Sequence, residues 1–171
     1  MIDLVRKRHD GDGWIIFTEL ADKTGFANRH ADAAALGVWA STRYELHLYE
    51  WKISREDVKR ELRDPSKVEG VGKYAHYWWL AINDEKIIGD LVIPEAWGIV
   101  LRKPHGTTFQ AKVLRKAPRL KPKEIGVLFA IGMIRNIAKT WVSPEKHSAV
   151  ADELYQLKHG PSPTQEDIDS E

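Results

Sequence analysis

Asp32, Glu50 and Lys52 are the side chains whose types and spacing promise chemistry in this chain. If His30–Trp39 and Tyr44–Ile53 form the strands of a hairpin turning at Ala40-Ser41-Thr42-Arg43, Asp32 falls across from Glu50 or Trp51. Lys52 then shares a face with Glu50. That face also carries Ala34, Leu36 and Val38 on one strand and Leu46 and Leu48 on the other, so it runs apolar and ends in two acids and an ammonium. Directly opposed side chains lie about 5 Å apart at the β-carbon. Two carboxylates that close to a core repel each other and lose hydration unless something pairs with them. Lys52 neutralises one of them, whereas a hard divalent cation, Mg²⁺ with Mn²⁺ as its substitute, would neutralise both. Such a cation binds a phosphate and acidifies a water, and Lys52 is placed to orient that water or to stabilise developing negative charge. The chemistry expected is hydrolysis of a phosphodiester, with Asp32 and Glu50 as metal ligands. Alanine at any of the three positions is expected to abolish turnover and leave folding largely intact.

The elements that must position these groups are read from periodicity and caps. Trp14, Phe17, Leu20 and Ala21 fall on one helical face, with Gly25 as a stop, which predicts a first helix over Trp14–Ala21. The hairpin follows. Ser54 is a suitable N-cap for a helix that begins with Arg55-Glu56-Asp57 and ends near Leu62, before Pro65. Ser66–Tyr74 reads as a loop or helical turn, Tyr77–Ile82 as a buried strand, and Gly98–Arg102 with Phe109–Lys116 as a second hairpin around Pro104-His105-Gly106. A long helix is expected from Lys121 to about Lys139, with Pro122 near its start and apolar residues nearly all round, which implies burial. Ser143–Lys158 suggests a last amphipathic helix. The fold class expected is α/β, a central mixed sheet flanked by helices. Residues 1–159 form one domain with its core at about 14–140, and 160–171 a disordered acidic tail.

Asp32, followed across a hairpin by Glu50-Trp51-Lys52, resembles the active-site pattern of the PD-(D/E)xK nucleases, although Ala31 stands where a proline often precedes the aspartate. Glu19 stands where that family often carries a glutamate on the helix before the first strand, so the resemblance implies an auxiliary metal ligand there. The stretch Glu50–Asp57, then Arg63-Asp64-Pro65-Ser66-Lys67, Ile93-Pro94-Glu95-Ala96-Trp97-Gly98-Ile99 and Lys116-Ala117-Pro118 is similar to a bacterial and phage branch linked to DNA repair. The likeness spans roughly residues 14–140. It implies a restriction-endonuclease-like core and Mg²⁺-dependent cleavage of DNA, in repair or phage DNA metabolism.

Bulk properties bound the alternatives. The absence of cysteine excludes disulfides and thiolate metal sites, so any metal is held by oxygen or imidazole. The formal charge of +1 hides four acids in the last six residues, which leaves 1–165 at about +5, mild enough to permit a polyanionic partner without demanding one. Met1–Asp10 is short, charged and without an apolar run, unlike a signal peptide, and Ile125–Ile134 is too short to span a bilayer, so the expectation is a cytoplasmic protein with no membrane partner. Arg55, Lys59 and Arg63 repeat a helical spacing and, with Lys67 and His76, are candidate DNA phosphate contacts; an ordinary solvated helix with Glu56 and Glu61 interleaved is the equal alternative. Trp78, Trp79 and Trp97 read as packing residues, and His30 as structural or exposed. The rival functions are a non-cleaving DNA-binding protein of the same fold, a structure-specific resolvase or RNase, and a metal-hydrolase unrelated to nucleic acids. A homo-oligomer is compatible with the sequence and not readable from it.

Overall fold

In a computed structural model of the chain, residues 1–21, 30–63 and 70–141 are described. Met1–Asn136 forms one compact unit, which holds the whole sheet, and Ile137–Glu171 a second. The elements in order are α1 (Ile2–Arg8), β1 (Trp14–Ala21), β2 (His30–Gly37), β3 (Leu46–Lys52), α2 (Arg55–Arg63), β4 (Tyr77–Ile82), β5 (Trp97–His105), β6 (Thr108–Arg115) and α3 (Val127–Trp141). The six strands form one sheet in sequence order. β1, β2 and β3 are antiparallel, β3, β4 and β5 parallel, and β5 and β6 antiparallel. The expected α/β class with a central mixed sheet and flanking helices is what the chain adopts.

Both hairpins, the Tyr77–Ile82 strand and the helix after Ser54 lie where expected. Ser54 Oγ accepts the Asp57 N–H at 3.1 Å and donates to Asp57 Oδ2 at 2.8 Å, a reciprocal cap that fixes where α2 begins. Trp14–Ala21 is corrected: it is a strand, not a helix. Phe17 and Leu20, three apart, are both buried in that strand, which gives the spacing a helical look, and Glu19 between them has φ 52°. The long helix starts at Val127 rather than Lys121, and it is not buried all round. Phe129 and Met133 are buried, while Val127, Leu128 and Ile134 are more than half exposed. The N-terminal α1 was not anticipated. The expected helix over Ser143–Lys158 and the acidic tail lie outside the described residues, and among those described no helix is long and apolar enough to cross a membrane.

The two faces of the sheet differ. On one, Leu4 and Val5 of α1 pack on Ala33, Ala35, Tyr49, Trp79, Ala81 and Val100, the alanines of β2 leaving room for the helix. Gly98 matters to this face, because a Cβ on it would overlap the Trp79 ring and meet the Ala117 Cβ at 2.7 Å. Gly98→Ala is therefore expected to cost about 1–3 kcal/mol, measured as a lowered urea midpoint with unchanged slope.

At the C-terminal end of α1, His9 Nε2 lies 2.7 Å from the Tyr49 hydroxyl, Arg8 donates to that hydroxyl at 2.9 Å, and Trp79 Nε1 donates to His47 Nδ1 at 3.2 Å. Burial, with the Arg8 charge added, pushes the His9 pKa down to about 3. Burial, then the neighbouring His9 and Arg8, pushes His47 down to about 2. Both rings are thus neutral when folded and bind protons near pH 6.5 once unfolded. Stability is complete above that value and falls as pH drops through it toward 3, because the unfolded chain takes up protons that the folded one refuses. The slope is on the order of 1 kcal/mol per pH unit for each histidine. His9→Gln, whose amide oxygen still accepts from Tyr49, should unfold less steeply with acid in urea titrations between pH 7 and 4.

Candidate functional site

The site lies on the opposite face of the sheet, under α2. Ala33 pairs with Tyr49 in the β2–β3 ladder, the last pair of that ladder toward Asp32 and Glu50. In the β1–β2 ladder the pairs Thr18–Ala33 and Leu20–Ala31 bracket Glu19 and Asp32. Pairing is thus interrupted at Glu19 and Asp32 and ends before Glu50 on the β2 side, which leaves the three acids at neighbouring positions on β1, β2 and β3, with Glu50 paired to Leu80 on β4.

Asp32 closes the ladder. Its Oδ2 accepts the Trp51 backbone N–H at 2.7 Å, so a side-chain oxygen stands where a strand carbonyl would otherwise receive that donor. This bond orients the carboxylate, as outer hydrogen bonds orient metal ligands generally. Asp32 Oδ1 has no partner among the described residues.

Glu50 is 0% exposed, the most buried acid of the sheet. Its Oε2 accepts from Lys52 Nζ at 3.1 Å. The same ammonium lies 2.7 Å from Oε2 of Glu61, which α2 delivers from above. Lys52 is thus held between two buried carboxylates. Burial pulls its pKa down, but the hydrogen bond to Glu61 and the charges of Glu50 and Glu61 outweigh burial and hold it above the ordinary lysine value. An ammonium has three donors, so two carboxylates leave one N–H for a water or a phosphate oxygen.

Glu61 is the residue that sequence reasoning missed, having been read as a solvated acid. The signal was present: Val58 and Glu61 are three apart on one helical face, and both are buried. Glu19 is joined to the site by register alone. It is exposed, and the element that carries it is β1, not the helix expected before the first strand.

The expected phosphate contacts fall into different situations. Arg55 pairs with Asp90 and donates to the Ile88 carbonyl at 3.3 Å, tying α2 to the turn after β4. Lys59 pairs with Glu56 at 2.6 Å, and Arg63 is exposed at the end of α2. Lys67 lies outside the described residues. His76 serves the fold: its Nδ1 accepts the Leu46 N–H at 3.0 Å, and burial, then Arg119, lowers its pKa. Trp78, Trp79 and Trp97 are buried, as packing residues should be. Arg115, at the end of β6, donates to the carbonyls of Trp97, Ile93 and Pro94.

Among the described residues, no group of three or more His, Asp or Glu side chains is gathered to hold a metal ion. Asp32 and Glu50 are two carboxylates on neighbouring strands. That number suits Mg²⁺, which keeps several waters and is commonly held by one or two carboxylates together with the phosphates of its substrate.

No family model matches the sequence, and no curated protein matches it. Among solved structures, the fold is similar to that of the SPO1766 protein of unknown function from Silicibacter pomeroyi. The TM-score is 0.52 and the identity 16%, over 96% of this chain and 93% of that one. At that identity the likeness speaks for the fold alone.

Proposed function

We propose that this chain is a Mg²⁺-dependent nuclease that hydrolyses DNA phosphodiester bonds, acting in the cytoplasm in DNA repair or phage DNA metabolism. The observation that carries the reading is the ion pair of Lys52 with fully buried Glu50, on the strand beside the one that carries Asp32. The D…ExK pattern of the PD-(D/E)xK nucleases supports it from the sequence side. A Mg²⁺ on Asp32 and Glu50, with Mn²⁺ as substitute and Glu19 as an auxiliary ligand, would supply Lewis-acid stabilisation of the scissile phosphate.

The chain's own residues do the rest. The Trp51 N–H fixes the Asp32 carboxylate, and Glu61 fixes the Lys52 ammonium. The remaining Lys52 N–H orients the attacking water or meets charge that develops on the phosphate. Arg63 and Lys67 are the DNA contacts this reading favours first. Arg55 and Lys59 exchange Asp90 and Glu56 for phosphates only at the cost of existing pairs, and the His76 imidazole is left with its second nitrogen.

Incubation of supercoiled plasmid and of linear oligonucleotides with Mg²⁺, with Mn²⁺ and with chelator tests the proposal. Cleavage that requires the metal is expected, and DNA binding without cleavage under any metal overturns it in favour of a non-cleaving DNA-binding protein. Parallel RNA and branched substrates identify an RNase or a structure-specific resolvase.

A further inference from the structure

An open cleft of about 620 Å³ lies beside the C-terminal end of α1, lined among others by Arg8, His9, Trp14, Arg43, Glu45 and His47. It is separate from the acid–lysine site. His47 and Glu50 have opposite parity on β3, so they point to opposite faces of the sheet, about 10 Å apart along the strand.

The hydrogen bonds around this cleft fix which ring nitrogens carry protons. Trp79 Nε1 is a donor only, so His47 Nδ1 is the acceptor, and the neutral ring carries its proton on Nε2. The Tyr49 hydroxyl is fully buried and already accepts from Arg8, which has no acceptor atom; its own O–H therefore goes to His9 Nε2, and the His9 proton sits on Nδ1. Neither His9 Nδ1 nor His47 Nε2 has a partner among the described residues, and neither is a fully enclosed atom.

Positive charge predominates in the lining. Arg8 is half-buried over the face of Trp79, 3.8 Å from the ring centroid, and among the described residues no carboxylate pairs with it. Arg43 is exposed on the turn before β3, likewise without an acid partner there. Glu45, the one acid in the lining, is held by Arg119 Nε at 3.0 Å and by the Tyr77 hydroxyl at 3.5 Å. Two imidazole rings and two guanidinia, arriving from α1, β3 and the turn, line a space whose one carboxylate, Glu45, is paired with Arg119. A planar carboxylate takes donors in its own plane, whereas a tetrahedral phosphoryl group takes them from several directions.

We propose that this cleft is a second, independent site, which binds a phosphoryl group through Arg8, Arg43 and the ring N–H groups of His9 and His47. The group belongs either to the terminal phosphate of a nucleic-acid strand or to a small free phosphate. Binding here does not depend on the nuclease reading.

Two-bond ¹H–¹⁵N imidazole spectra of the full chain, without divalent cation, test it directly. Before ligand, His47 should appear as the Nε2–H tautomer and His9 as the Nδ1–H tautomer. Titration with inorganic phosphate, at ionic strength matched with chloride, should shift both rings saturably. Arg43→Ala should weaken that binding about tenfold, since a charged hydrogen bond is worth roughly that factor or more. A 5′-phosphorylated oligonucleotide is compared with its 5′-hydroxyl counterpart. Preference for the phosphorylated strand supports the proposal and assigns the site to strand ends; saturation by inorganic phosphate alone supports it as a small-anion site. Opposite tautomers, or ring signals that neither phosphate nor either oligonucleotide moves, overturn it, whatever the cleavage assay has shown.

Discussion

Lys52→Met is expected to lower folding stability by about 3–5 kcal/mol, the usual cost of removing one partner from a buried ionic cluster. Methionine keeps the length and bulk of the stem, so the loss isolates the ammonium. Lys52 side-chain exposure is 11%, against 0% for Glu50 and 3% for Glu61, and the substitution leaves those two carboxylates without the cation they share. Urea unfolding reads the effect as a large fall in midpoint with little change in slope. Adding Glu61→Gln to Lys52→Met should recover part of the loss, because one of the two acids is then neutral. An unchanged midpoint for Lys52→Met would show that the ammonium does not hold the acids in place. The sequence-based expectation that alanine at Lys52 leaves folding largely intact is thereby revised. The revision comes from Glu61, whose presence converts an edge-of-sheet lysine into the centre of a buried triad.

Asp32→Asn and Glu50→Gln are expected to reduce metal-dependent DNA cleavage by about 10²–10³-fold or more, the scale of losing a principal electrostatic group at a reacting centre. Both should stay folded, which makes them the decisive variants. Asparagine keeps an oxygen to accept the Trp51 N–H now bound by Asp32 Oδ2 at 2.7 Å. Glutamine at position 50 keeps an oxygen for Lys52 and leaves the 2.7 Å Lys52–Glu61 pair charge-balanced, so its stability should lie within about 1 kcal/mol of wild type. Plasmid nicking with Mg²⁺, alongside urea unfolding of the same preparations, separates activity from folding. Near-normal cutting by a folded Glu50→Gln protein would remove Glu50 from the reaction.

The sequence by itself determined the local elements whose signals are self-contained. Ser54 and Asp57 announce a helix because a cap is made by neighbours, and Tyr77–Ile82 announces a strand because no polar residue interrupts it. The hairpin pattern also brought Asp32 to the neighbourhood of Glu50 and Trp51, since a short turn fixes register, and Asp32 Oδ2 accepts the Trp51 N–H. Trp14–Ala21 misled because its two buried residues, Phe17 and Leu20, are three apart as on a helix face, although the segment is a strand packed within a sheet. The tertiary structure alone decided the environment of the site. Nothing local to Glu61 states that α2 will lay it on Lys52, and nothing local to Arg8, His9 and His47 states that they will meet. Lys52 and Glu61 lie on successive elements, and Arg8 and His9 lie far from His47 in sequence; both encounters are set by how helices settle on the two faces of a sheet.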